Sequence, residues 1–433
     1  MLLSGVAVVA LLLLVAVPVI PTRVVIVGIV AVRSLSDIGL STGMRPGVLA
    51  WVNLGLVAVI LYLVVVKAVA TGGLGRTSRL TTVVGVFFFL SIVGFFHFGI
   101  DAELTSELLR VLSIIGIFIL AYRYSDELTS MTVAAMVLPS ALVGLIGSAG
   151  FGQGMVNSAG RLAGTFSHPN AAAAFLGVAL VLSIELWLRR PGIGVLLMTA
   201  VLAAALLLTG SLGGITGALA GVIAVVWFFP SNSGSQRFLQ IGAVSVCAYI
   251  GYVAFDLSAR VAEFKWHSTG YTSTASADSF QWRLENWQLL VDIAAGSPVI
   301  GFGLGASSYQ IMPLGGPPHS MYVQSFVDGG FIGVCVLGAL IGAMIRSGVR
   351  FCQRSDWRGS AILGLGAFIL VNGIVSNLLG YTAAMYLIAV LAAWLVRGGG
   401  TDQAGRGEPA GDGKGNERSG NGSRLRLVES GRA

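Results

Sequence analysis

The chain has 433 residues, 55% of them hydrophobic and only 10% charged, and its mean hydropathy is +0.86. Ordinary soluble domains carry about 25% charge, so a water-soluble fold of this length, and with it a cytosolic enzyme, is excluded. The net charge of +7 marks membrane topology and not nucleic-acid binding, because of where the basic residues fall.

Apolar runs near the ~20 residues that span a bilayer predict an all-α polytopic membrane protein. Met1 to Val17 lacks a basic n-region, and no A-x-A site precedes the next run, Val24 to Val32. The segment reads as a first membrane helix and not as a cleaved signal. Further spans are predicted at 48–66, 80–97, 108–122, 129–147, 169–188, 192–209, 212–229, 238–255, 320–345, 360–376 and 379–396, about 12–13 transmembrane helices in all. The expected organisation is N-terminal membrane helices over 1–255, an extracytoplasmic loop with short helices over 256–319, C-terminal membrane helices over 320–397 and a disordered cytoplasmic tail over 398–433. That tail mixes glycine with both charges and lacks aromatics. Elsewhere the 60 glycines are expected to let helices approach closely. Cys247, Cys335 and Cys352 lie in or beside apolar runs and imply no disulfide framework or thiolate metal site.

Lysine and arginine in short loops set the orientation. Lys67, Arg76, Arg79, Arg123, Arg189, Arg190, Arg237, Arg346, Arg350, Arg354 and Arg358 fall in alternating loops. These are assigned to the cytoplasm together with the C-terminus; the side of the N-terminus stays open. Loops 34–47, 98–107, 148–168 and 256–319 are poorer in positive charge and are assigned to the outside. The last is the one long outer loop, and loops of such length are functional or disordered. Trp266, Phe280, Trp282, Trp287, Phe302 and Tyr309 argue for order. A helix is predicted over Ser279–Ala295, then a glycine-rich turn at Gly301–Gly305, then a Pro317-Pro318 turn that delivers His319 to the next span.

Three outer constellations carry candidate chemistry. Arg161-Leu-Ala-Gly-Thr-Phe-Ser-His168-Pro-Asn170 reads as a polar loop capping a Pro-started helix. It reads equally as an anion site, with Arg161 near a helix N-terminus. Trp282-Arg283-Leu-Glu-Asn-Trp287 places Arg283 and Trp287 one turn apart, either as a stacked cation–π pair or with the guanidinium presented to phosphate. His319-Ser-Met-Tyr322, running on to Asp328-Gly-Gly, is either a polar cap or a general base near neutral pH. No P-loop or HExxH occurs, and the four histidines are scattered; neither a metal nor another cofactor is expected. A reaction outside the membrane has no ATP or nucleotide sugar to draw on, whereas a lipid-linked diphosphate carries its own leaving group. Two arginines and a helix N-terminus to hold a diphosphate, with a histidine to deprotonate a hydroxyl, describe glycosyl transfer from a polyprenyl-diphosphate donor.

The order of these elements resembles the O-antigen ligase and polymerase superfamily of bacterial membrane proteins. The matching elements are Arg161–Asn170, Thr209-Gly-Ser-Leu-Gly213, Arg283 with Trp287, Ser297-Pro-Val-Ile-Gly-Phe-Gly303, and His319-Ser-Met-Tyr-Val-Gln324 through Gly333. The resemblance covers roughly residues 150–340. It implies a GT-C-like glycosyltransferase of the plasma (inner) membrane, inverting and metal-independent, with its active site extracytoplasmic. By that likeness Arg283 binds the donor diphosphate, His319 acts as base on the acceptor or positions it, and Arg161 helps bind phosphate. His168, Asn170, Trp287 and Tyr322 complete the expected substrate-binding set. The expected partners are a polyprenyl-diphosphate-linked glycan donor, a glycan acceptor, the lipid bilayer and other envelope polysaccharide assembly proteins, and no nucleic acid. Leu212 stands where ligases of the family carry arginine; either Arg161 substitutes, or the chain is a polymerase, or it has another role. The alternative from a different class is a transporter or flippase, which would place ionisable groups near the midplane of its spans; the predicted spans are almost free of them.

Overall fold

The computed structural model describes residues 20–36, 46–70, 78–151, 155–157, 160–231, 233–254, 257 and 280–397. The predicted helix over 1–17, most of the first half of the long loop and the tail from 398 lie outside them. The described residues form thirteen α-helices and no strand beyond one isolated bridge, Val156 to Leu162. In chain order these are α1 (Thr22–Ser36), α2 (Pro46–Ala70), α3 (Ser78–Phe98), α4 (Ala102–Arg123), α5 (Ser130–Ile146), α6 (Pro169–Arg189), α7 (Ile193–Leu208), α8 (Leu212–Phe228), α9 (Gly234–Ala254), α10 (Phe280–Ala294), α11 (Met321–Gln353), α12 (Arg358–Val375) and α13 (Thr382–Arg397). Six of them, α4, α5 with its π-helical continuation to Ala149, α6, α9, α11 and α12, are long and apolar enough to cross a membrane, and α7, α8, α13 and parts of α2 and α3 are shorter apolar helices. The polytopic all-α reading holds.

One boundary moved with consequence. The span expected at 108–122 begins at Ala102, with Asp101 at its N-cap and Glu103 in its first turn. Carboxylates there favour the positive end of a helix, so residues 102–107 of the expected 98–107 loop are helix. Glu107 therefore joins Arg110 inside α4.

Membrane helices gain little from hydrophobic association and pack through small residues instead. α6 shows this with Ala171 to Ala174, all buried at the centre of the bundle. α8 presents Gly213, Gly217 and Gly221 to α12. A Cβ at Gly221 would stand 2.9 Å from the Gly364 carbonyl oxygen, and one at Gly217 2.9 Å from Asn372 Cβ. α9 is the opposite case: Phe238, Leu239, Val246, Tyr249, Ile250 and Val253 are all exposed, as a lipid-facing helix at the edge would be.

α11 is broken. Gly330 has φ 56° and ψ −149°, and the chain before it supplies what the helix loses there. Phe302 N and Gly303 N donate to the carbonyls of Val327 and Asp328, while Phe331 N and Ile332 N donate to those of Pro298 and Val299 (2.8–3.1 Å). The Ser297–Gly303 turn is thus threaded into the break. A Cβ on Gly330 would lie 2.5 Å from the Val299 carbonyl carbon.

The two ends of the bundle differ in chemistry. One end gathers arginines and aromatics: the Arg189 guanidinium lies 3.8 Å from the Trp357 ring centroid and 3.5 Å from Glu185, and Arg397 lies over Tyr122. The other end carries every candidate residue.

Candidate functional site

Arg161 is pinned before α6. Its backbone N–H donates to Asn157 Oδ1 (2.9 Å), and Leu162 N donates to the Leu208 carbonyl (2.9 Å). Its guanidinium Nε donates to the Thr209 carbonyl (2.9 Å) and Nη2 to Asn170 Oδ1 (3.0 Å). Only 6% of Arg161 is exposed. His168 is the N-cap of α6, accepting from Asn170 N at Nδ1 (3.1 Å), with Pro169 in the first turn. The expected cap and the expected Arg161–Asn170 neighbourhood are therefore one unit. Thr209 is the C-cap of α7 and Ser211 the N-cap of α8. Arg161 consequently lies against the turn that starts α8, with its Cγ 3.5 Å from where a Gly210 Cβ would be.

The second half is built by α10. The helix begins at Phe280 and ends at Ala294, close to the predicted bounds. Arg283 Nη1 donates to the Val375 carbonyl at the end of α12 (2.8 Å). Three further side chains of α10 hold the turn that delivers His319. Asn286 Nδ2 donates to the Gly316 and Pro317 carbonyls (3.3 Å each). The Trp287 indole donates to the Pro318 carbonyl. The Trp282 ring stands 5.9 Å from the His319 ring. His319 has φ +50°, a left-handed conformation that a non-glycine residue adopts only when its surroundings impose it. Tyr322 is in the first turn of α11 and donates its hydroxyl to the Leu370 carbonyl (2.9 Å), which ties α11 to α12.

The halves meet through α8. A Cβ at Gly213 would lie 2.6 Å from Val375 Cγ2 and 3.9 Å from Asn372 Nδ2, so the N-terminus of α8 abuts the residue whose carbonyl holds Arg283. Arg161 and Arg283 flank that N-terminus. Leu212 is its first residue.

A third arginine was missed in the sequence. Arg110 pairs with Glu107 through Nε (2.9 Å) and through Nη2, and it donates Nη1 to the Leu379 carbonyl in the turn between α12 and α13. Glu107 is 2% exposed. Nearby, Asp328 of α11 accepts from Ser307 N (2.8 Å) and Gly305 N (3.2 Å), and burial followed by the Glu107 carboxylate pushes the Tyr309 phenol above its ordinary value. The available signal was the i,i+3 acid–base pair just inside an apolar run, where ionisable groups are rare and face the bundle interior. Among the described residues no three His, Cys, Asp or Glu side chains gather as a metal site would require.

The carbonyls of Thr209, Val375 and Leu379 close helices or a short turn, and chain ends of this kind leave oxygens unpaired and partly negative. Each of the three arginines takes one. The result is an arginine rim at one end of the bundle, in which Glu107 offsets the charge of Arg110 and leaves Arg161 and Arg283 as its cations. Around it are several buried polar atoms with no partner among the described residues: Asn372 Oδ1, Ser376 Oγ and Asn377 Oδ1 at the end of α12, and Thr165 Oγ1 before α6. Leaving such an atom unpaired costs about 1–3 kcal/mol.

No curated protein matches the chain. Residues 193–338 match the family model described as O-antigen ligase. The matched stretch runs from α7 past the break in α11 and contains Leu212, Arg283, Trp287, His319 and Tyr322; Arg161, His168 and Asn170 precede it. Over that third of its length the chain is similar to the O-antigen ligase family, and its apolar helices make it an all-α polytopic membrane protein.

Proposed function

We propose that the protein transfers or polymerises a glycan at the outer face of the plasma membrane, from a polyprenyl-diphosphate-linked donor to a sugar hydroxyl. One observation carries the reading beyond the family match. A single helix, α10, bears Arg283 and also grips the Gly316–His319 turn through Trp282, Asn286 and Trp287. An anion-binding group and a titratable ring are thereby held to one another by one rigid element.

In the proposed reaction the diphosphate lies between Arg283 and Arg161, over the N-terminus of α8, where dipole and backbone N–H groups favour an anion. The two arginines supply the positive charge that Leu212 does not. The His319 imidazole takes the proton of the acceptor hydroxyl. That oxygen attacks the anomeric carbon from the face opposite the diphosphate. The bond from the anomeric carbon to the phosphate oxygen breaks, the diphosphate leaves with the electron pair, and the configuration inverts. The rim acts most strongly on the leaving group, where charge develops.

The test is transfer in proteoliposomes supplied with lipid-linked glycan from cells lacking this protein. Arg283→Ala and Arg161→Ala are expected to lower transfer about 10²–10³-fold, and His319→Ala about 10²–10⁴-fold. Full activity in all three variants would sink the reading. The glycan that accumulates on gene deletion separates the two family activities: single lipid-linked repeat units indicate a polymerase, full-length lipid-linked polymer a ligase.

A further inference from the structure

We propose that the unwound end of α12 forms a subsite for the hydroxyl groups of the sugar attached directly to the donor diphosphate. The inference rests on the reading of Arg283 as a diphosphate ligand. Asn372 Oδ1, Ser376 Oγ and Asn377 Oδ1 lie within one short stretch, and none has a hydrogen-bond partner among the described residues. The three residues are 1%, 3% and 8% exposed. The stretch is held on both sides: Arg283 donates to the Val375 carbonyl (2.8 Å), and Arg110 donates to that of Leu379. Ser376 and Asn377 therefore lie in a segment pinned at both ends, with Asn372 just before it in the last turn of α12.

Their surroundings select the ligand. Asn372 lies at the tight α8–α12 contact, where Gly213 and Gly217 have made room for it. An apolar side chain would pack there without an orphan. Two amides and a hydroxyl beside a cation and a helix N-terminus suit a ligand that is anionic at one end and rich in hydroxyls at the other. A hydroxyl both donates and accepts, so it pairs with an amide in either orientation. Ser376 directly follows the residue that Arg283 holds, which places the first sugar of a diphosphate bound at Arg283 beside it. The oxygens are shut from solvent, so sugar entry goes with an outward shift of residues 376–381 as Arg283 exchanges the Val375 carbonyl for phosphate.

The experiment measures binding of full-length protein in nanodiscs to two kinds of probe. One is undecaprenyl diphosphate. The other is the same lipid carrying a single glucose, galactose or N-acetylglucosamine. Wild-type protein is expected to bind at least one sugar-bearing probe more tightly than the bare lipid. Asn377→Ala and Ser376→Ala should each weaken that probe about 10-fold or more and leave the bare lipid unchanged; Asn372→Ala adds to this if it folds. Equal loss for both probes, no loss for either, or no preference of the wild type for any sugar-bearing probe overturns the subsite, and the last two outcomes assign the buried oxygens to water. Arg283→Ala should weaken both probes. If it weakens neither, the diphosphate reading fails, whatever the asparagines do.

Discussion

His319 holds a backbone conformation that costs a non-glycine residue on the order of 1–2 kcal/mol, between Pro318 and the N-cap Ser320. Asparagine enters that region more readily than most residues. His319→Asn should therefore leave the thermal midpoint in detergent near the wild-type value while transfer falls about 10²–10⁴-fold. If His319→Asn retains transfer, the ring serves only as packing beside Trp282. At this scale the sequence was informative where a residue acts on near neighbours. The polar cap before α6 followed from Pro169. Arg110 escaped notice because its carbonyl partner, Leu379, is 269 positions away, and no residue type marks a main-chain oxygen as an arginine's target. The same holds for Arg283 and Val375.

At the scale of elements, the break in α11 explains two glycine-rich motifs at once. Gly330 takes φ 56°, ψ −149°, outside the range of other residues. Gly301 must also lie flat on Asp328, whose carbonyl carbon would be 2.6 Å from a Gly301 Cβ. Gly330→Ala is expected to lose on the order of 1–3 kcal/mol from the backbone alone, with more from the clash with Val299. Gly338→Ala, in the unbroken half of α11 with open space around it, should be neutral or slightly stabilising. Thermal unfolding of the two variants side by side measures the contrast; equal effects would remove the break as the reason for Gly330. Hydropathy reads 320–345 as one span because an interrupted helix has the same composition as a straight one.

For the molecule as a whole, the arginine- and aromatic-rich end and the candidate site lie at opposite ends of the bundle, and the proposed outer location of the site rests on the positive-inside rule. Cysteine labelling in intact cells checks this, using protein whose Cys247, Cys335 and Cys352 are replaced by serine. Ser167→Cys, exposed at the site end, should react with an impermeant thiol reagent. Pro191→Cys, exposed at the other end, should react only after permeabilisation. The reverse pattern would invert the topology and place the proposed chemistry on the wrong side of the membrane.

What the sequence determined by itself was the class of molecule, because the need to satisfy every backbone group in lipid leaves apolar helices as the local solution. It also determined which side chains were worth testing, because charge is so scarce that Arg161 and Arg283 stand out. Tertiary structure alone decided how those groups are held. Arg161, Arg283 and Arg110 reach main-chain oxygens at Thr209, Val375 and Leu379, the Ser297–Gly303 turn fills the break in α11, and α10 grips the turn before His319. Those contacts are long-range and use backbone atoms that every residue shares, so they come into being only when the helices close on one another.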